Sequence, residues 1–285
     1  MKIQPACVEC IVNQSFRVVD AIDANTTLAT KITSHVKELS KDFSFSLTPP
    51  EIAAYVYADM ANIANMKDLY AQQKQLASSH AKTFLPKLQT KLQNSTNKLL
   101  SAAKIAIAGN VIDLAAEVSF DLEEELEKIF HTPFGIDNFK TLEKELNKAR
   151  NVVVLGDNTG EHIFDYIFIQ TLQELYPDIS FSYFVRGVPI INDVTLKEAK
   201  EIEFDKLCNL IDSGVDTPGF SYNRATKEAQ ELFDNADLVI SKGMGNYECL
   251  SPSHKQNICF LLKVKCNVVA SSLGTELGDI ICKVV

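Results

Sequence analysis

The sequence predicts an α/β fold, in which an N-terminal helical domain (residues 1–145) packs on a doubly wound, mainly parallel Rossmann-like sheet (residues 146–285). Two observations support this prediction. The first half of the 285-residue chain is a succession of helix-forming segments without a strand pattern. From residue 151 onward, short apolar runs alternate with helical stretches, which is typical of parallel strands joined by crossover helices.

Six segments of the first half are predicted to be helical, because helix formers and capping residues recur there. Pro5 begins the first helix, Thr48-Pro49-Pro50-Glu51 begins the second, and Pro86 is expected to kink or break the third. Asp137 is expected to cap the last helix, after a connection at residues 131–135. The segments are residues 5–22, 48–64, 68–101, 97–117, 121–128 and 137–150.

The second half is predicted to contain five apolar strands and a short final one. The strands are residues 152–155, 180–185, 207–211, 238–241, 258–264 and 279–285. The helices predicted between them are residues 162–175, 196–203 and 225–235. In an open α/β sheet of this kind, ligands bind beyond the carboxyl ends of the strands.

The composition argues against several classes of protein. A hydrophobic content of 46% is that of a globular chain, not a disordered one. A formal charge of −9 and a pI near 5.1 disfavour a nucleic-acid partner. No apolar run approaches the ~20 residues that span a bilayer, and no signal peptide is expected at the N-terminus. Seven cysteines, an odd number, predict reduced thiols in a cytoplasmic protein.

The strand at residues 152–155 is followed at once by Asp157, Asn158 and a turn that contains Gly160. Asp and Asn oxygens suit a hard divalent cation, and the N–H groups that open the next helix suit a phosphate. These residues therefore predict metal-assisted phosphoryl transfer. Ordinary turn formation is the alternative, because turns use the same residue types.

A second polar cluster follows the next strand along the chain. Thr195 and Glu198 fit a capping box, which gives Thr195 a structural role. The capping box does not explain Asn192-Asp193. Because both clusters lie at the carboxyl side of a strand, Asp193 is expected to be able to reach the same cation as Asp157.

Lys242 follows the strand at residues 238–241 and precedes Gly243 and Gly245. A Gly-rich loop with one Lys can cradle a phosphate, although the motif alone is weakly specific. The Walker pattern and Gly-x-Gly-x-x-Gly are both absent, so a dinucleotide site loses its main support.

Asn110 and Asp113 lie three residues apart in a predicted helix and so share a face. They are either solvated surface or residues that point from the helical domain into the cleft.

Cys7-Val8-Glu9-Cys10 is an isolated Cys-x-x-Cys at the start of a helix. A structural zinc site needs four ligands, and the sequence has no second Cys-x-x-Cys. A thioredoxin-like role would need a preceding strand. Plain packing, metal or redox use away from the site, and a supporting role at the rim of the cleft all remain open.

Taken together, the clusters resemble the damage-control phosphatases, a family of metal-dependent phosphatases. The matching pieces are Gly156-Asp157-Asn158-x-Gly160-Glu161, Pro189-x-x-Asn192-Asp193-Val194-Thr195 and Lys242-Gly243-x-Gly245-Asn246. Three further pieces are similar to the microbial branch: Cys7-x-x-Cys10, Gly109-Asn110-x-Ile112-Asp113 and Leu261-Leu262-Lys263-Val264-Lys265-Cys266. One departure is Asp68-Leu69-Tyr70, followed by Lys74, where the family has Asp-Pro-Tyr and a Lys.

The resemblance implies a helical domain packed on an α/β domain, with one divalent cation in the cleft. It implies Asp157, Asn158 and Asp193 as metal ligands, and Lys242 as the residue that holds the substrate phosphate. The cation is expected to be Mg²⁺, Mn²⁺, Co²⁺ or Ni²⁺. A small phosphorylated metabolite is the expected partner, and neither nucleic acid nor a membrane is expected.

The candidate catalytic residues are therefore Asp157, Asp193 and Lys242. Attack by water, with Asp157 or Asp193 as base, is favoured over an aspartyl-phosphate intermediate, because the usual Asp-x-Asp signature is absent. The residues expected to bind the substrate or its phosphate are Thr159, Gly160, Glu161, Lys242, Gly243, Asn246, Asn110, Asp113 and Arg186.

Two other classes of function stay open from the sequence alone. A nucleoside-cofactor-dependent transferase, such as a methyltransferase, would use a similar sheet without added divalent metal. A non-catalytic metal- or metabolite-binding module, with Cys7 and Cys10 as ligands, would bind its ligand without turnover.

Overall fold

A computed structural model of the chain describes residues 1–109, 122–253 and 255–285. At its centre, within those residues, lies one sheet of seven strands. The strands are β1 (Phe134–Asp137), β2 (Asn151–Leu155), β3 (Ser180–Val185), β4 (Asn209–Asp212), β5 (Leu238–Lys242), β6 (Ile258–Lys263) and β7 (Ile280–Val284). Their order across the sheet is β1-β7-β6-β5-β2-β3-β4. The predicted mainly parallel α/β sheet is confirmed, because only β1 and β7 run against the other described strands.

The direction in which the chain builds the sheet reverses between β2 and β5. From β2 the chain continues to β3 and β4 on one side, and from β5 to β6 on the other. The register pairs Leu155 with Ser241, so β2 and β5 end at nearly the same level. In open α/β sheets a crevice opens beyond the carboxyl ends of the strands at such a switch point, and ligands bind in it.

Helices cover both faces of the sheet. The helices that contribute are α6 (Lys98–Ala108), α8 (Phe139–Leu146), α9 (Glu161–Leu175), α12 (Lys227–Asn235), α13 (Gly243–Leu250) and α14 (Asn267–Leu273). Along β2, Val152 and Val154 pack into the core under α6, α8 and α9, whereas Val153 and Leu155 pack into the opposite core under α12, α13 and α14. This alternation follows from the two-residue period of a strand.

A third core lies among the first three helices, α1 (Pro5–Ala21), α2 (Thr26–Leu39) and α3 (Pro49–Ala64). The predicted start of α3 is confirmed: the Glu51 N–H donates to Thr48 Oγ1 at 3.3 Å, and the Thr48 N–H donates to Glu51 Oε2 at 2.8 Å. Ile190, from the segment after β3, also packs into this core. The helical layer therefore contacts one of the segments that carry predicted site residues.

The third predicted helix is divided into α4 (Ala71–Thr83) and α5 (Leu85–Gln93), with Pro86 in the first turn of α5. This confirms the predicted break, because Pro cannot donate the hydrogen bond that would continue a helix. The remaining helices are α7 (Leu122–His131), α10 (Leu196–Lys200) and α11 (Phe204–Leu207).

The first half of the chain is not entirely helical, which corrects that prediction. Residues 134–137, expected to belong to a connection and a helix cap, form β1 and pair with β7 at the edge of the sheet. A four-residue edge strand with alternately exposed side chains has too little apolar pattern to be recognised. The predicted boundary at residue 145 stays a prediction.

Two predicted site residues, Asn110 and Asp113, lie outside the described residues. The described helices contain no segment that is long and apolar enough to cross a membrane.

Candidate functional site

Asp157 and Asn158 lie at the switch point, just beyond the end of β2. The Gly156 N–H donates to the Phe184 carbonyl at 3.0 Å, which extends the pairing with β3 past the last strand residue. The Asp157 carboxylate reaches the first residue of α13, because a Cβ placed on Gly243 would lie 1.8 Å from Asp157 Oδ2. The carboxyl ends of β2 and β5 therefore meet at Asp157.

The segment after β3 pairs with the segment after β2. The Val194 N–H donates to the Asp157 carbonyl at 2.9 Å, and the Thr159 N–H donates to the Asn192 carbonyl at 2.8 Å. Asp193 thereby lies opposite Asn158 in an antiparallel bridge. Two short segments more than thirty residues apart are joined here by backbone hydrogen bonds, which places Asp193 beside the predicted metal ligands.

Arg186, the first residue after β3, links the two aspartates. Its side chain is fully buried. Its Nε donates to Asp193 Oδ2 at 2.7 Å, and its Nη2 lies 4.0 Å from Asp157 Oδ1. Nη2 also donates to Asn246 Oδ1 at 3.3 Å. The expectation that Arg186 binds substrate stays a prediction: its Nε and Nη2 hold protein groups, whereas its Nη1 is buried without a hydrogen-bond partner among the described residues.

Acidic side chains are concentrated at this end of the sheet. Burial raises the pKa of Glu161, and the charge of Asp157 raises it further. Burial also raises the pKa of Asp193, where Arg186 opposes the shift and Asp157 adds to it. Burial raises the pKa of Glu248 to about 7, again with a contribution from Asp157. A cation bound among these groups would relieve the unfavourable concentration of negative charge.

The donor atoms fit a hard divalent cation. Carboxylate oxygens from Asp157 and Asp193 and an amide oxygen from Asn158 are the ligand types that such ions prefer. The Asn158 amide is held in place, because its Nδ2 donates to Glu161 Oε1 at 2.8 Å. Across the part of the chain that the structure describes, no three His, Cys, Asp or Glu side chains form a metal cage. Two carboxylates and an amide suit an ion such as Mg²⁺, which keeps several waters.

The predicted phosphate cradle at the start of α9 is largely closed by the protein itself. The Thr159 N–H is used by Asn192, and the Gly160 N–H donates to His162 Nδ1 at 3.0 Å. Burial lowers the pKa of His162 to about 4, so its neutral ring can accept this bond. The expectation that Thr159 and Gly160 bind phosphate stays a prediction, although both of their N–H groups are bonded within the protein. Glu161 is fully buried, and its side chain contacts Asn158, away from the cavity walls.

Lys242 ends β5, as expected, but its ammonium is already paired. Its Nζ lies 2.5 Å from Asp165 Oδ1 in α9, and both side chains are fully buried. Tyr183 Oη donates to the other Asp165 oxygen at 2.9 Å. The charge of Lys242 also lowers the pKa of Glu161, so it acts on the acidic cluster from within the protein. The sequence showed the position of Lys242 but not its carboxylate partner.

Gly243 and Gly245 begin α13, so the predicted Gly-rich loop is in fact a helix. Each glycine permits a close approach between parts of the protein. A Cβ on Gly245 would lie 2.3 Å from the Pro218 carbonyl oxygen, and a Cβ on Gly243 would overlap the Asp157 carboxylate. The expectation that Gly243 contacts phosphate stays a prediction.

Asn246 ties the ends of β2 and β5 together. Its Nδ2 donates to the carbonyls of Lys242 at 2.6 Å and Gly156 at 2.9 Å. Its Oδ1 accepts from the Phe220 N–H at 2.7 Å and from Arg186. The side chain is fully buried and its hydrogen-bonding capacity is used within the protein, so Asn246 positions the ends of β2 and β5. Its expected contact with substrate stays a prediction.

A cavity of about 560 Å³ opens beside the predicted metal ligands. Asp157, Asn158 and Asp193 line one part of it, and Cys7 and Cys10 line another. The Cys-x-x-Cys is therefore part of the cavity wall, and all seven cysteines are free thiols. This location agrees with the rim position that the sequence left open, and it depends on tertiary packing between α1 and the sheet.

Lys74 is a buried cation, which the sequence analysis named only as the Lys that follows Asp68-Leu69-Tyr70. It is 1% exposed, and its Nζ lies 3.2 Å from Asp68 Oδ2 and 3.8 Å from Glu198 Oε1. Glu198 in turn accepts from the Thr195 N–H at 3.0 Å, which confirms the predicted capping box. Lys74 thus connects α4 to Glu198 in the first turn of α10, whose N-cap Thr195 lies two residues beyond Asp193.

Comparison with known proteins gives one consistent result. A family model described as the damage-control phosphatase ARMT1-like domain matches residues 3–281. The chain is 32% identical over 286 residues to a damage-control phosphatase of Pyrococcus horikoshii, covering 99% of this chain and 98% of that protein. It is 29% identical over 291 residues to a damage-control phosphatase of Archaeoglobus fulgidus, covering 100% of both. The crystal structure of a DUF89 family protein from Pyrococcus horikoshii superposes with a TM-score of 0.89 at 30% identity, covering 100% of this chain and 99% of that one.

Proposed function

Since the chain belongs to the ARMT1-like damage-control phosphatase family, we propose that Asp157, Asn158 and Asp193 hold the divalent cation of its active site. Membership makes the protein a metal-dependent phosphatase that acts on small phosphorylated metabolites. We further place it in the microbial branch of the family, on its Cys7-x-x-Cys10, and in the cytoplasm, on its seven free thiols.

One observation carries the site assignment. The backbone pairing between residues 157–159 and 192–194 brings two carboxylates and one amide to the switch point, in the wall of the cavity. Asp157 and Asn158 follow β2 whereas Asp193 follows β3, so their convergence is a property of the fold. A hard cation among oxygen donors and a phosphate ester in the cavity use this convergence directly.

The cation, when bound, would neutralise charge on the transferring phosphoryl group. Asp157 or Asp193 accepts the proton of the attacking water, and both have oxygens at the cavity wall. Arg186 fixes the Asp193 carboxylate through its Nε contact, which limits that side chain to one orientation. Lys242 supplies positive charge from the end of β5, and we propose that it balances the phosphoryl oxygens during the reaction.

Removal of metal tests the function itself. Protein treated with a chelator is expected to lose turnover of a panel of phosphate esters, and addition of Mg²⁺, Mn²⁺, Co²⁺ or Ni²⁺, one at a time, is expected to restore it. The panel also ranks the four metals, because the ion that fits the oxygen donors best should support the highest kcat/KM. Turnover that survives complete chelation contradicts the proposal. Tight binding of an ester without turnover would instead favour a binding module, and binding of a nucleoside cofactor without any need for metal would favour a transferase.

Replacement of Lys242 by methionine is expected to destabilise the fold and to slow turnover. The substitution leaves the Asp165 carboxylate buried without its cation, which costs about 3–5 kcal/mol of unfolding free energy. The double variant Lys242→Met/Asp165→Asn removes both charges and should recover most of this loss, as measured by urea unfolding. If Lys242 also balances phosphoryl charge, the double variant stays about 10²–10³-fold slower than the wild type.

The single variant Asp165→Asn is the matched control, because it removes the partner and keeps the ammonium. A double variant with wild-type kcat/KM and unchanged inhibition by inorganic phosphate would show that Lys242 acts only through Asp165.

A further inference from the structure

Helix α1 carries a polar stripe along the cavity. Cys7, Cys10, Gln14 and Arg17 are spaced three, four and three residues apart, which places them on one face of a helix. All four line the cavity that also contains the predicted metal ligands. We call these four residues the α1 stripe. None of them is needed for the hydrolytic chemistry derived above.

The cavity is larger than a phosphoryl group requires. Its volume of about 560 Å³ falls in the range, about 300–1,000 Å³, of sites that enclose an entire small-molecule ligand. The α1 stripe extends over ten residues from Cys7 to Arg17, or about 15 Å of helix. A phosphate ester bound at Asp157 would therefore have room for its leaving group beside the α1 stripe.

The α1 stripe changes from neutral thiols at one end to a cationic side chain at the other. The thiols of Cys7 and Cys10 have pKa values raised chiefly by burial, and the charge of Glu248 contributes to both. Arg17 lies beyond them and lowers the pKa of Cys10. Arg17 is exposed to the cavity and forms no ion pair with the described residues. Lys263 and Lys265 also line the cavity, so three cationic side chains, including that of Arg17, lie in its wall in addition to the acidic residues.

Gln14 offers an acceptor that the protein does not use. Its Nε2 lies 3.9 Å from Cys10 Sγ, whereas its Oε1 is buried without a hydrogen-bond partner among the described residues. A buried, unsatisfied acceptor is costly, and a ligand hydroxyl or amine that donates to it removes the cost.

We propose that the α1 stripe binds the leaving group of the substrate, and that this leaving group carries a second anionic group held by Arg17 and a donor held by Gln14. The inference rests on the proposed function, because it takes the phosphoryl group to lie at Asp157. The substrate class is thus a phosphate monoester with a carboxylate or a second phosphate at its other end. Arg17 is suited to this role because its guanidinium donates to carboxylate and phosphate through two parallel hydrogen bonds.

Binding of non-hydrolysable phosphonates tests the inference without turnover. A series of alkylphosphonates of increasing length is compared by calorimetry with phosphonates of the same length that end in a carboxylate, using the Mg²⁺-loaded protein. In the wild type the carboxylate should tighten binding at one favoured length. Arg17→Ala should reduce this preference about tenfold to a hundredfold, the range for a charge-assisted hydrogen bond. Arg17→Lys should keep part of it.

Arg150→Ala is the matched control, because Arg150 is exposed, contacts Asp178 and precedes the first residue of β2, at the opposite end of that strand from Asp157. It should leave the carboxylate preference at its wild-type value. Gln14→Leu should weaken binding of a hydroxylated phosphonate more than that of its unhydroxylated partner. A preference that is absent from the wild type, or unchanged in Arg17→Ala at every length, overturns the inference. Failure of the proposed function has a different signature, namely phosphatase turnover that survives in Asp157→Ala.

Discussion

Asp157→Ala is expected to lower metal-dependent phosphatase turnover by about 10³-fold or more, since it removes one of the three proposed protein ligands to the cation. The same substitution should not unfold the protein. In the metal-free state the charge of Asp157 raises the pKa of Glu161, Asp193 and Glu248, so its removal relieves repulsion among buried carboxyl groups. Thermal unfolding of the metal-free variant should therefore occur at or above the wild-type temperature.

Metal binding separates this result from general damage. Addition of Mg²⁺ should raise the unfolding temperature of the wild type, because a ligand that binds only the folded state stabilises it. It should leave Asp157→Ala and the closer mimic Asp157→Asn nearly unchanged. Near-normal turnover of Asp157→Ala at saturating metal would place the metal site elsewhere.

Gly243→Ala is expected to be nearly as harmful, because the Gly243 backbone lies directly against the Asp157 carboxylate. An added Cβ would lie 1.8 Å from Asp157 Oδ2, so either the carboxylate or the start of α13 must move. Displacement of a catalytic group by about 1 Å can cost about 10²-fold in rate. We expect kcat to fall by that amount or more, with a lower affinity for the metal ion.

Gly274→Ala provides the matched control. Gly243 and Gly274 have φ values of +75° and +71°, so both substitutions carry the same backbone penalty of roughly 1–2 kcal/mol. An added Cβ on Gly274 has nothing within 4 Å. Gly274→Ala should therefore lose stability but keep activity. Equal loss of kcat in the two variants would mean that backbone strain, and not the contact with Asp157, explains the effect.

Much of the fold could be predicted from the sequence because parallel strands have a strong local pattern. The strands β2, β3, β5 and β6 are buried on both faces, so each appears as an apolar run. The observed ends of β2 to β7 differ from prediction by two residues at most. The convergence of Asp157 and Asp193 could also be anticipated, since the carboxyl ends of parallel strands share one edge. The backbone pairing between residues 157–159 and 192–194, by contrast, depends on loop geometry and has no local signal in the sequence.

The contacts that could not be predicted from the sequence belong to residues whose partners lie far away in the chain. Lys242 and Asp165 are far apart in sequence, so no local pattern shows that the ammonium is paired. Asn246 has an amide side chain of the kind that often binds ligands, yet four protein groups form hydrogen bonds with that amide. Cys7 and Cys10 reach the cavity only because α1 packs against the segment after β3. A side chain near a site binds substrate only if the fold leaves it unused.

The separate core of α1, α2 and α3 holds α1 in place independently of the residues proposed for hydrolysis. Its apolar interior maintains the position of α1, whereas the residues proposed for hydrolysis are fixed by the sheet and by Arg186. Substitutions at Gln14 and Arg17, which face the cavity and lie outside that core, disturb neither arrangement. New substrates can therefore be acquired by changes on a single helical face, while selection keeps the hydrolytic residues constant.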